Sequence, residues 1–116
     1  MLNVRWCVMF FCTGLLLCSA SEADTISAST RSIITSPIFY ATYGSGDVTF
    51  TFPGGSTGLA QCKGFWIRGT DAGYKTIVTA VLTAYQTGAT IVVDANISQI
   101  WSGSSTSYCL VDAIEY

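Results

Sequence analysis

Histidine is absent from the 116 residues, and its absence excludes Ser-His and Cys-His nucleophilic catalysis and any histidine metal site. Charge is scarce as well. Five Lys and Arg stand against seven Asp and Glu, only 10% of the chain, for a net charge of −2. Without a basic patch to neutralise phosphates, nucleic acid is not an expected partner. No pattern calls for a cofactor or a metal. The longest apolar run, Trp6 to Leu17, is shorter than the roughly 20 residues that a bilayer-spanning helix needs. What remains for acid–base chemistry is carboxylate, with Asp47, Asp71, Asp94 and Asp112 as candidates. Asp71 is better explained as a helix cap, Asp47 as a turn residue and Asp94 as a strand end. Gly54-Gly55-Ser56-Thr57-Gly58 lacks the Gly-Lys-Ser/Thr ending of a phosphate loop and opens no helix. Asn96-Ile97-Ser98 fits an N-glycosylation acceptor, read here as a chance match.

What is present begins with an address. Arg5 precedes the short apolar run, and small residues follow at Cys18-Ser19-Ala20 and Ser21-Glu22-Ala23, the layout of a secretory signal peptide over residues 1–23. Phe11 and Leu17 precede Cys12 and Cys18 where a lipoprotein signal has a small residue. Cleavage after Ala20 or Ala23 is expected, giving a secreted or periplasmic protein with no membrane span after processing. Removing 23 of the 116 residues leaves 93, one small domain with Cys62 and Cys109 as its cysteines. An even count in an exported chain reads as a disulfide.

Residues 24–31 are Ser, Thr and Ala without period, expected as a flexible lead-in to a domain over 32–116. The β-branched and aromatic run Ser32–Tyr43 is expected as a strand that Pro37 bends or confines to an edge. Val48, Phe50 and Phe52 alternate with Thr49 and Thr51 to give a second strand, joined to the first by a turn at Gly44–Asp47. Cys62–Arg68 is a third. Asp71–Gly88 is a helix, capped by Asp71 and closed by Gly88, with Tyr74, Ile77, Val78, Val81, Leu82 and Tyr85 on its core face. Strands at Ala89–Asp94 and Tyr108–Tyr116 complete the order β-β-β-α-β-β. That order predicts a mainly β fold with one helix, a five-stranded Greek-key OB-fold barrel.

The segments Thr35-Ser36-Pro37-Ile38-Phe39, Tyr85-Gln86-Thr87-Gly88 and Thr90-Ile91-Val92-Val93, with Trp66, Tyr74, Val78 and Ala84, resemble the B subunits of pentameric bacterial toxins of the subtilase and pertussis type. Phe39 and Tyr40 stand where those subunits usually carry a cysteine. The resemblance implies a secreted OB-fold that binds glycans, or a small exported bacterial protein with that fold. It also implies a ring of five copies whose helices line a central channel.

Two regions carry the functional expectations. The connection Gln99–Tyr108 combines hydroxyls with two aromatics, which suits a sugar, since its C–H face stacks on a ring while its hydroxyls exchange hydrogen bonds. Together with the hairpin loop, it nominates Tyr43, Asp47, Trp101, Ser102, Ser104 and Tyr108 as ligand-binding residues. The bland alternative has Trp101 folded back as a lid and the serines as a linker. The second region is the polar helix stripe Thr76, Thr79, Thr83 and Gln86, whose short side chains permit close approach of another copy. A non-enzymatic glycan-binding module is therefore the first expectation, a structural protein that binds another protein the second, and a small carboxylate-dependent hydrolase the third.

Overall fold

The structure is a computed structural model describing residues 25–116; the signal-peptide assignment at 1–23 lies outside the described residues. It consists of β1 (Ile26–Ala28), β2 (Thr35–Phe39), β3 (Val48–Thr51), β4 (Gly64–Ile67), α1 (Tyr74–Thr87), β5 (Val92–Ile100) and β6 (Tyr108–Glu115). The strands form one sheet in the order β1-β5-β6-β4-β3-β2, curled into a half-barrel. Every pairing is antiparallel except that of β4 with β6.

Six strands replace the expected five because the lead-in is partly ordered. Ile26–Ala28 pair with Asp94–Asn96 along the open edge of β5. Ser29 continues the pairing by unusual means: its N–H donates to the Val93 carbonyl and its hydroxyl accepts the Val93 N–H, both at 2.9 Å. A three-residue strand of small residues carries too short an alternation to be read from sequence. The expected first strand contracts to Thr35–Phe39 and does lie at the edge opposite β1, where the missing N–H of Pro37 leaves no central ladder position unfilled. An extra residue bulges between Thr35↔Thr51 and Ile38↔Thr49, with Ser36 at φ 47° taking the left-handed conformation.

The inner face of the sheet is the main core. Val48, Phe50 and Phe52 alternate inward from β3 and its continuation, as the sequence pattern demands, and meet Phe65 and Ile67 of β4. The rings of Phe50 and Phe52 lie 5.4 and 5.2 Å from that of Phe65. Helix α1 closes this core with Val81 and Ala84, both fully buried, while Ile77 and Val78 pack alongside. Leu82 and Tyr85, expected on that face, are 37% and 48% exposed. The small Ala84 sits against the sheet and leaves the two larger side chains on the rim. Gly88 closes the helix at φ 73°, as expected.

The amino end differs. The cap position is Gly73, with no side-chain hydrogen bond. Asp71 lies two residues before the cap, and its side chain bonds none of the free N–H groups of the helix. Its carboxylate pairs with Arg68 at 3.6 Å, and its carbonyl accepts the Tyr74 N–H.

Cys62 and Cys109 form a disulfide with Cα atoms 5.5 Å apart. It joins neighbours in the sheet, since Cys109 is the parallel partner of Phe65. β5 runs on to Ile100, well past the expected strand end at Asp94, so the expected Gln99–Tyr108 connection begins inside a strand. Asn96 is 5% exposed, and its side-chain Oδ1 accepts both the N–H and the hydroxyl of Ser98 at the point where the β5 register shifts. The acceptor pattern is thus absorbed into a bulge.

Because the bridge closes a sequence separation of 47 residues, removing it with Cys62→Ser/Cys109→Ser should lower stability by about 4 kcal/mol on chain-entropy grounds. Urea unfolding monitored by circular dichroism, run with and without reductant on the unaltered protein, is the check; coincident curves would contradict it.

Candidate functional site

The outer face of the sheet carries a second, smaller cluster. Thr49, Trp66 and Leu110 lie side by side across β3, β4 and β6. A tryptophan on a strand that is buried on both faces needs cover from outside, and the loop after β5 provides it. Trp101 folds onto Trp66 and Leu110 with only 5% exposure, flanked by Tyr40 and Tyr108. The tyrosine rings of residues 40, 43 and 108 have centroids 5.5, 5.1 and 5.9 Å from that of Trp101. Arg68 lies over Trp66 at 5.4 Å, a cation–π contact.

Buried indole N–H groups require acceptors. Trp66 Nε1 donates to the Gln99 carbonyl at 3.1 Å, and Trp101 Nε1 donates to Asp47 Oδ2 at 3.0 Å. The second Asp47 oxygen accepts the Gly69 N–H at 3.0 Å. Asp47 therefore binds the hairpin loop 40–47, the loop 101–107 and the β4–α1 connection to one another. The loops touch again at their surface, where the Tyr43 hydroxyl lies 3.0 Å from Ser102 Oγ. The helix joins the same junction through Tyr74, whose hydroxyl donates to the Gly46 carbonyl.

Glycines permit the close approaches. A Cβ on Gly69 would lie 2.1 Å from the Ser45 carbonyl oxygen, and one on Gly103 would lie 2.4 Å from the Trp101 ring.

Five of the six nominated ligand residues, Tyr43, Asp47, Trp101, Ser102 and Tyr108, meet here. Their roles differ from those expected. Asp47, at 4% exposure, and Trp101 are buried, so neither presents a surface to a ligand; the lid arrangement of Trp101 holds. Tyr43 is 40% exposed and Tyr108 half-buried, with Ser102 exposed beside them. Ser104, also exposed, is drawn to Thr106, 2.8 Å away, at the loop tip. Tyr40, Trp66 and Gly69 belong to the cluster and were not nominated. Tyr40 sits one helical-turn step before Tyr43, but only the hairpin geometry shows that both reach Trp101.

Three of the four candidate carboxylates have other engagements. Asp47 and Asp71 are accounted for above, and Asp112 is exposed on β6. Asp94 stands beside Glu115, whose carboxyl is held above the usual carboxylate range, first by a hydrogen bond with Asp94 and then by like-charge repulsion, with Arg31 opposing. Among the described residues no three His, Cys, Asp or Glu gather as a metal site. The Gly54–Gly58 segment starts in a short 3₁₀ turn and leads to a strand rather than a helix. Residues Gly55 to Lys63 line a shallow depression of about 230 Å³ there.

No protein-family model, curated protein or solved structure matches this chain. The functional reading therefore rests on the site itself.

Gly69→Ala should lower stability by roughly 1–3 kcal/mol, because the added methyl meets rigid backbone. Gly73→Ala, with nothing within 4 Å of the new Cβ, should be near neutral. Thermal unfolding of the two variants side by side reads the difference, and equal midpoints would refute the close-approach argument.

Proposed function

We propose that the protein is a secreted, non-enzymatic binding module whose two adjoining loops take a glycan. The observation that carries this reading is the joined loop pair: the exposed Tyr43, the half-buried Tyr108 and the Ser102 hydroxyl surround a buried Trp101 that is held by Asp47. Ring faces and hydroxyls at a rigid surface are what a saccharide needs. The contact aromatics in this reading are Tyr43 and Tyr108, with Trp101 beneath them. Export is supported by the disulfide. Among the described residues no helix is long and apolar enough to cross a membrane.

The OB-fold reading is supported by three features together. A single helix connects β4 to β5, β4 runs parallel to β6, and β1 and β2 are successive stretches of one segment at opposite edges of the sheet. The bridge Ser32↔Ile91 lies between them. On such a fold the loop after the first strand and the loop before the last are common oligosaccharide sites. A likeness to the toxin B subunits would follow from that topology together with the glycan site.

Self-association is the second reading, and a specific surface favours it. Thr76, Thr79, Thr83 and Gln86 are all exposed on α1, next to the exposed Leu82 and Tyr85, with Lys75 the one charge in the helix. Thr79 donates its hydroxyl to the Lys75 carbonyl, which leaves a small and largely satisfied surface for a second helix. A closed ring of identical chains is the arrangement proposed. A structural role in binding another protein would use the same face.

On a glycan array the processed protein should bind a defined subset of saccharides, and Tyr43→Ala should weaken that binding about tenfold or more, as expected for loss of about 1.4 kcal/mol of aromatic contact. An empty array, or unchanged binding in the variant, would remove this site assignment. Light scattering across a micromolar dilution series should give a mass several times that of one chain, falling to one chain in Thr79→Glu. A single-chain mass at every concentration of the unaltered protein would eliminate the ring.

A further inference from the structure

We propose that Asp47 is the positioning residue of this site: its buried carboxylate locks the loops 40–47 and 101–107 into one unit, so that the surface of Tyr43, Ser102 and Tyr108 is formed before a ligand arrives. The proposal deepens the glycan-binding reading and rests on it for its functional meaning.

A turn alone does not call for this residue. Asn or Ser would serve a hairpin turn, and an aspartate there would ordinarily face water. Here both carboxylate oxygens accept N–H groups from separate segments, Trp101 Nε1 and the Gly69 backbone, each at 3.0 Å. Asparagine has one acceptor oxygen, and its amide would turn a donor toward one of these donors, so only a carboxylate meets both. The surroundings make room for it. Gly44, at φ 65°, lies so near that a Cβ would come within 2.4 Å of Asp47 Oδ2.

Neither donor is charged, and Arg68, the cation closest along the β4–α1 connection, is engaged with Asp71 and with the Trp66 ring. The carboxylate is thus held by directional hydrogen bonds, which fix geometry more tightly than a mobile ion pair. The hairpin itself is closed by backbone, through the Tyr40 N–H to the Asp47 carbonyl at 3.0 Å and the Asp47 N–H to the Tyr43 carbonyl at 3.1 Å. Losing the side-chain bonds would therefore leave the two loops joined only by the exposed Tyr43–Ser102 contact and by ring packing on Trp101, without undoing the hairpin. Holding them beforehand spares the ligand the entropy of ordering them.

Hydrogen exchange of the processed protein, followed by NMR with no sugar present, tests this. In Asp47→Asn, amides of both 40–47 and 101–107 should exchange at least tenfold faster, the Trp101 indole N–H should shift and lose protection, and β3, β4 and β6 should stay protected. Trp101→Phe, which keeps a ring but removes the donor, should loosen the same two loops and leave the Gly69 amide protected; it serves if Asp47→Asn does not fold. Loosening of loop 40–47 alone, no change in either loop, or a uniform loss of protection across the barrel in both variants would overturn the proposal. Coupled loops combined with an empty glycan array would uphold the clamp and defeat the glycan reading, so the two failures are distinguishable.

Discussion

Strand β4 is only Gly64–Ile67, yet all four of its residues are buried, and this double burial is the constraint from which most of the molecule follows. Phe65 and Ile67 face inward and require α1 to cover the core on that side. Trp66 faces outward and requires a cover of its own, which Trp101 supplies from a distant part of the chain. Hydrophobic burial of this kind is non-directional, so it brings the segments together without choosing their geometry. The choice is made by polar groups and by the bridge. Gly64 has no room for a side chain, because a Cβ would lie 2.7 Å from the Tyr108 ring and 2.9 Å from the Phe50 carbonyl oxygen. The disulfide at the start of β4 and the bond from the Lys63 N–H to the Ser107 carbonyl hold β6 in register beside it.

Covering Trp66 with a second tryptophan creates a polar obligation. Two indole N–H groups enter low-dielectric surroundings, where an unpaired donor costs about 1–3 kcal/mol. Gln99 meets one through its backbone and Asp47 meets the other through its side chain. Among the described residues no buried side-chain nitrogen or oxygen lacks a partner. The outer cluster is consequently a small second core with fixed hydrogen bonds. Its exposed rim, rather than its centre, is the part that reaches solvent. This explains why the largest aromatic of the loop is not the one offered to solvent.

The helix shows the reverse situation. It has enough apolar surface to close one core, and the rest of its circumference carries hydroxyls in place of charges. Thr79 and Thr87 each donate a hydroxyl to the helix's own carbonyls, at residues 75 and 83. Such a face is neither strongly hydrated nor strongly apolar, which suits contact between identical chains. The junction at Gly46, where Tyr74 binds the hairpin loop, joins this helix physically to the candidate ligand site.

Sequence alone determined the elements whose signals are local. The alternation at Val48–Phe52, the period of α1, the left-handed closure at Gly88 and the hairpin turn each follow from a few neighbouring residues, and the pairing of the cysteines follows from their count alone. The short β1 and the register shift in β5 were decided by partners far along the chain. So was the role of Asp47. In sequence it is a turn residue beside two glycines; in the fold it is the acceptor for a tryptophan 54 residues away. Spacing along the chain reports backbone preference and the face to which a side chain points. Which buried donor meets which acceptor depends on how the sheet curls, and only the tertiary structure could decide it.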